Sequence, residues 1–562
     1  MFVGSRKWVV LVATIWIQAF TGTNFDFSSY SSELKSVLQI TQLQLNYLSV
    51  ASDMGKVFGW CCGVSLFYFP LWVVLFMATF LGLLGYGFQC LLIKQLISLP
   101  YFLVFLLCLV AGCSICWFNT ICYVLCIKHF PSNRSLALSL SISFNGVSAA
   151  LYTLIANAIT SSDDTLYLLL NAIVPLLISA VVLVPILQQP QPQPNSADMI
   201  RRDSLVFLCL NILALVTGLY LLFLYSLSSN TTIARVILVG AGFLLVLLLF
   251  LPVIVNSREW SCLTSPACYP LLNSRFNLIN LDGGGGDDDD YDDDLHKELI
   301  ENEDNYSRNR SSVIVREKCC FDTVLLKDQL KVLGEEHSTK MLMHRWDFWI
   351  YYMAYLCGGT MGLVYSNNLG QISQSLGHNS QTKTLVTLYS TCSFFGRLLA
   401  AAPDFLNRKI HFARTGWFAA AVVPMTIAFI LLAITGSIEA LRMSTALIGL
   451  SSGFVFAAAV SITSELFGPN SVAVNHNILI TNIPIGSCLY GLLAALVYDS
   501  NADGASRDTM WLREMTMCLG RKCYLETFLW WGCISIVGLV SSFVLYFRTR
   551  HAYYDNFGRN TN

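Results

Sequence analysis

The sequence predicts an all-α, polytopic membrane protein, built as two six-helix bundles with about two extra helices between them. About a dozen stretches are each roughly 20 residues long and almost wholly apolar, the length one helix needs to cross about 30 Å of hydrocarbon. The 562 residues are 55% hydrophobic and only 12% charged, too little charge to coat a soluble globule of this size. A Pro- and Gln-rich break and a long hydrophilic segment divide the apolar stretches into groups of six, two and six.

The first group has spans near 8–30, 45–68, 71–93, 100–127, 135–159 and 165–187, giving an N-terminal bundle over 1–187. Arg6 and Lys7 precede an apolar run in the manner of a secretion signal, but that run continues past Phe25, which favours a retained first helix. Residues 188–203 form a linker in which Pro breaks the helical series. Two additional spans near 204–227 and 233–255 occupy 204–255. Residues 256–345 contain Gly283 to Gly286 followed by the acidic run Asp287 to Asp294. Such a composition cannot bury enough apolar area to offset chain entropy, so a disordered acidic cytoplasmic linker is expected. The last group, near 346–370, 381–402, 415–435, 438–462, 473–497 and 527–547, gives a C-terminal bundle over 346–547 with a cytoplasmic tail at 548–562.

Basic residues near the span ends set the expected orientation, with both termini in the cytoplasm. Arg6, Lys7, Lys128, Arg134, Arg201, Arg202, Arg258, Arg397, Arg408, Lys409, Arg414, Arg548 and Arg550 then fall inside, and the acidic loop Ser161 to Thr165 falls outside. Arg507, Arg513, Arg521 and Lys522 depart from the rule, in a long outer loop that also carries Cys518 and Cys523. Those two cysteines have a spacing that a short disulfide closes if the loop faces an oxidising compartment. Most of the other cysteines, of 19 in all, lie in apolar runs, where a thiol acts as a small hydrophobe.

An internal repeat is visible. Ser49, Ser52, Gly55 and Lys56 in the second span match Ser390, Ser393, Gly396 and Arg397 in the tenth, and Thr41 and Thr382 keep the same offset. A duplicated six-helix unit is a common way to build a transporter, with the substrate site between the halves. Small residues such as Gly82, Gly85, Gly449 and Gly453 would let helices approach where lipid supplies no hydrophobic drive for association.

Ionisable side chains near the bilayer centre cost about 2.5–3.5 kcal/mol each on insertion scales and therefore mark sites. Asp53 and Lys56 lie three apart on one helix face, as an ion pair or as a cavity lining with a proton-coupling carboxylate. Asp26 lies near the outer end of the first span. Uncharged pathway candidates are Asn119, Asn145, Asn368 and Asn482, with Asn24, Tyr123, Asn157, Tyr352, Asn367 and Asn477 in the wider set. Pro484 would kink the thirteenth span or mark a discontinuous helix.

The stretch Gly396 to Lys409, with Arg397, Asp404 and Arg408, resembles the charged loop signature of major facilitator superfamily transporters. That resemblance implies an inner-gate charge network of Arg397, Asp404, Arg408 and Glu465. Gly22 to Lys35, Phe130 to Arg134, Asn367 to Gly377, Ser464 to Gly468 and Cys518 to Cys523 resemble plant nodulin-like proteins, the group that includes the nuclear-fusion-defective type, over nearly the whole chain outside the acidic linker.

Other classes find little support. The net charge of -1 does not suit a nucleic-acid partner, and none of the common nucleic-acid modules is readable. The eight histidines are scattered, without a paired metal-ligand motif on a helix, and no phosphate-binding Gly-rich loop occurs. Neither an enzyme nor a metal or other cofactor is expected. The expected function is gradient-coupled transport of a small molecule or ion by alternating access, with a coupling proton among its partners besides the lipid bilayer. A receptor or scaffold on a transporter fold is the alternative.

Overall fold

The computed structural model describes the chain except for residues 1–2, 24–26, 160–165, 189–196, 226–230, 265–328, 331, 407–411, 504–517 and 562. Every regular element among the described residues is helical, which lets each segment satisfy its own backbone in a medium without water. Eleven of these helices are long and apolar enough to cross a membrane.

The N-terminal series comprises α1 (Val3–Thr21), α2 (Phe27–Leu38), α3 (Gln42–Gly55), α4 (Gly59–Tyr68), α5 (Leu71–Ile93), α6 (Tyr101–His129), α7 (Arg134–Ser143), α8 (Ser148–Ile159) and α9 (Leu166–Leu187). Two further helices follow, α10 (Ala197–Tyr225) and α11 (Thr231–Thr264). The C-terminal series is α12 (Thr339–His344), α13 (Trp346–Tyr355), α14 (Met361–Ser375), α15 (Thr382–Leu399), α16 (Ala402–Leu406), α17 (Arg414–Ile434), α18 (Ile438–Phe467), α19 (Val472–Ile480), α20 (Asn482–Asp503) and α21 (Lys522–Thr561).

Three anticipated spans, 8–30, 45–68 and 346–370, are not among the eleven. The first ends at Thr21, and a Cβ at Gly22 would meet the Asn145 oxygen at 2.5 Å. The second is divided by a 3₁₀ turn at Lys56–Phe58. The third is divided by a π turn at Leu356–Thr360. The anticipated span 473–497 is likewise divided at Thr481, three residues before Pro484, a residue that cannot donate to the preceding turn. Such interruptions open the backbone only where protein covers it.

The repeat seen in the sequence is a repeat of contacts. A Cβ added at Gly55 would stand 2.1 Å from the Leu109 carbonyl oxygen, and one at Gly396 would stand 2.0 Å from that of Leu450. In return, a Cβ at Gly112 would meet the Ser52 oxygen at 1.8 Å, and one at Gly453 the Ser393 oxygen at 2.1 Å. Each residue of the first set lies 341 positions before its counterpart. Thus α3 against α6 and α15 against α18 are the same backbone-on-backbone packing, made twice by small residues where apolar side chains have no advantage over lipid.

Helices α7–α8 and α18 form the centre, with 89% and 78% of their apolar windows buried, whereas α10 and α11 have 33% and 28% buried and face outward. The extra pair is fastened by the Lys7–Asp203 ion pair, by Trp16 donating to the Leu245 carbonyl and by Gly218 packed on Phe394.

The expected disorder of 256–345 does not extend to its C-terminal end. The Gly334 amide donates to the Glu465 carbonyl (2.7 Å) and the His337 amide to that of Phe467 (3.1 Å). Glu336 accepts from the Asn470 and Ser471 amides at the start of α19, satisfying donors that a helix cannot pair internally. Buried Leu330 and Leu342 anchor the segment. The Gly run, the acidic run and residues 189–196 of the Pro/Gln linker lie outside the described residues, whereas residues 197–203, expected in that linker, belong to α10.

Gly112→Ala and Gly453→Ala should each lower the thermal midpoint of the purified protein in detergent, by about 1–3 kcal/mol of stability, because a backbone oxygen has no room to yield. Gly87→Ala and Gly242→Ala, where nothing lies within 4 Å of the new methyl, should leave it unchanged.

Candidate functional site

Two cavities lie one behind the other between the N- and C-terminal series. The first is lined by Thr23, Tyr30, Ser49, Asp53, Gln89 and Asn367 among others, and is narrow, with a cavity volume of about 20 Å3. The second is larger, about 80 Å3, and is lined by Gln18, Lys56, Asn119, Tyr123, Asn145, Arg397 and His476 with Ile115, Ile480, Ile483 and Phe456. Leu363 of α14 borders both.

The wall between them is polar. Asp53, 4% exposed, accepts from Lys56 Nζ at 2.6 Å through Oδ1. Its Oδ2 accepts from Ser487 Oγ at 2.6 Å and Asn367 Nδ2 at 3.3 Å, both on the C-terminal series. The i,i+3 spacing along α3 brings the two charges onto one face, and the 3₁₀ turn at Lys56 carries the ammonium toward the second cavity while the carboxylate faces the first. One buried carboxylate is thereby shared by a cation of its own bundle and two donors of the other.

Arg397 of α15 stands at the position equivalent to Lys56. It donates to Asn145 Oδ1 at 2.9 Å and to the Ile142 carbonyl at 3.3 Å, both across the bundle interface, and its guanidinium lies 5.8 Å from the Phe456 ring centre. Arg414 bridges the acids expected with Arg397: Nη2 donates to Asp404 Oδ1 at 2.6 Å, and Nε to Glu465 Oε1 at 3.0 Å. Tyr553 donates to Glu465 Oε2 at 2.7 Å, and Ser135 of the other series reaches Oε1 at 3.4 Å. The network drawn from the sequence therefore divides in two: Arg397 faces a cavity, and Arg414 holds Asp404 and Glu465 at one end of the bundle. Arg408 lies outside the described residues.

The pathway candidates separate likewise. Asp53 borders the first cavity; Lys56, Asn119 and Asn145 border the second. Asn368 donates to Val364 of its own helix, and Asn482 accepts from Thr360 at 2.7 Å, tying the π turn to α20; neither lines either of these two cavities. Asp26 and Asn24 lie outside the described residues. Sequence reasoning missed Ser487, Gln18 and His476, and the buried Arg548–Asp347 pair between α21 and α13. Only the last had a signal, an acid just inside an apolar span.

The two ends of the bundle differ. At the Glu465 end, α4 and α19 touch backbone to backbone, with a Cβ at Gly63 placed 2.6 Å from the Ala473 oxygen. Cys518 and Cys523 are bonded to each other at the opposite end, where the Gly520 amide donates to Ser375. There the bundles meet through side chains, as in the 3.5 Å contact of Gln371 with Asn46.

Paired helical bundles repeated within one chain and enclosing polar cavities are the fold also seen in solved major facilitator structures. The proton:xylose symporter XylE, bound to 6-bromo-6-deoxy-D-glucose, shares the fold with a TM-score of 0.51 at 11% identity, over 96% of this chain and 95% of that one. Residues 7–257 match the Nodulin-like family model, and residues 331–555 match the model of the NFD4 C-terminal domain. The chain belongs to the nodulin-like family. It is 54% identical over 557 residues to Protein NUCLEAR FUSION DEFECTIVE 4 of Arabidopsis thaliana, covering 99% of this chain and 90% of that protein. A probable transporter, mch1 of Emericella nidulans, is 24% identical over 34% of this chain and 35% of its own length.

Removing Arg414 would leave two largely buried carboxylates facing each other. With Asp404 and Glu465 side chains 24% and 14% exposed, Arg414→Ala should cost about 3 kcal/mol, the low end for a broken buried pair, and lower the melting midpoint accordingly. Arg442→Ala, which breaks an exposed pair with Glu439, should cost less than about 1 kcal/mol.

Proposed function

We propose that this protein moves a small solute across its membrane by alternating access, coupled to an ion gradient, with the second cavity as the solute site. The observation that carries this reading is the placement of two polar cavities between bundles whose packing repeats at a fixed separation of 341 residues. Rocking one bundle on the other would open either end in turn. In the present state the Glu465 end is sealed by direct backbone contact. Asp53 is the proposed coupling carboxylate. It sits in the wall between the cavities, and a proton on it would weaken its hold on Lys56 and on the Ser487 and Asn367 donors of the other bundle. Both termini are placed in the cytoplasm by the basic residues at the span ends.

Asp53→Asn is expected to abolish stimulation of uptake by a proton gradient in liposomes, while the variant still reaches its membrane and remains monodisperse. A scaffold on this fold would keep its cellular phenotype with the same change. Asn46→Cys with Gln371→Cys, where the bundles meet through side chains, oxidised to a disulfide should arrest transport until reduced. Undiminished transport in the cross-linked protein would eliminate rocking at that end.

A further inference from the structure

We infer that the second cavity takes a small organic anion whose carboxylate is held between Lys56 and Arg397, an assignment that rests on reading this cavity as the solute site. The two cations stand at equivalent positions of the repeat, one in each bundle, and border the same space. Among the described residues, no aspartate or glutamate borders it. A neutral solute would offer neither cation a further counter-charge, whereas an anion bridging them stabilises each in a low-dielectric setting.

The groups now touching those cations are internal stand-ins for such a ligand. Lys56 rests on the Asp53 carboxylate, and Arg397 on the Asn145 carbonyl oxygen and the Ile142 carbonyl. The residue three before Lys56 is Asp53, but the residue three before Arg397 is Phe394, so the repeat keeps the cation on both sides and the acid on one. The cavity wall also holds polar atoms with no hydrogen-bond partner, Asn145 Nδ2 and Asn119 Oδ1, with Asn145 only 9% exposed. An amide hydrogen on Asn145 is suited to a second carboxylate oxygen or an adjacent carbonyl. Ile115, Ile480, Ile483 and Phe456 supply an apolar flank, which fits a short hydrocarbon body behind the charged head.

The test uses the purified full chain. Pyruvate, succinate and benzoate are compared with their amides, with glucose and with glycine, first by the shift in melting midpoint in detergent. Uptake of labelled pyruvate, succinate and glucose into proteoliposomes is then measured against protein-free liposomes. At least one carboxylate should stabilise the protein and be taken up, and its amide should do neither. Lys56→Gln and Arg397→Gln should each weaken the effect tenfold or more. Lys56→Arg and Arg397→Lys, which keep the charge and guard against simple misfolding, should retain it within about threefold. Equal binding of the amides, or full carboxylate uptake by both Gln variants, would overturn the assignment. Uptake of glucose without any carboxylate would overturn it too, yet leave the transport reading standing. If no solute of any charge binds or crosses, the transport reading falls and the anion site falls with it.

Discussion

A charge held between two helix bundles in hydrocarbon has to be neutralised by the opposite bundle, by its own helix or by cargo. That constraint organises the centre of this molecule. Asp53 is met by Lys56 from its own helix and by Ser487 and Asn367 from across the interface, and Arg397 is met by Asn145 and Ile142 from across the interface. Removing the partner of a buried charge costs several kcal/mol, so the bundles cannot separate at these points without something else arriving. The same requirement that makes the charges expensive makes them sensitive to what occupies the cavities beside them.

The helix contacts that frame the site obey a second, purely steric constraint. Lipid tails are as apolar as leucine, and helices gain from association mainly by close packing. At Gly55 with Gly112 and at Gly396 with Gly453, carbonyl oxygens of the neighbouring helix occupy the space a side chain would need. These are the stiff pairs of each half. The bonds that cross between halves on the Asp53 side are side-chain hydrogen bonds, which exchange partners at far lower cost than a backbone packing can shift.

Much of the architecture was legible because a membrane span has a length and composition of its own. The repeat was legible because Ser, Ser, Gly and a base recur where helices α3 and α15 meet their neighbours, and such a contact tolerates few residue types. The Asp53–Lys56 pair was legible for a local reason, an i,i+3 spacing. Its partners were not: Ser487 is 434 residues away, and nothing in a serine within an apolar helix tells which bundle it faces. The division of labour between Arg397 and Arg414 was hidden for the same reason, since both precede Glu465 in sequence and only packing decides which reaches it. The ordered tail of the acidic segment did leave a trace, in the apolar Leu330 and Leu342 amid polar sequence, but burial of two side chains is too short a signal to outweigh the composition around them.

The departures from internal symmetry say more about mechanism than the symmetry does. Asp53 meets Ser487 across the interface, and the equivalent positions, Phe394 and Gly146, also meet, with a Cβ at Gly146 only 3.0 Å from the Phe394 amide nitrogen. One crossing is ionic and the other apolar. On the proposed reading, a proton on Asp53 changes the energy of the first crossing, whereas the Phe394–Gly146 contact carries no charge of its own to respond. A ligand shifts a conformational equilibrium only by its difference in affinity between the states. If the bundles rock as proposed, the half that kept the carboxylate is the half through which a proton on Asp53 would bias that motion.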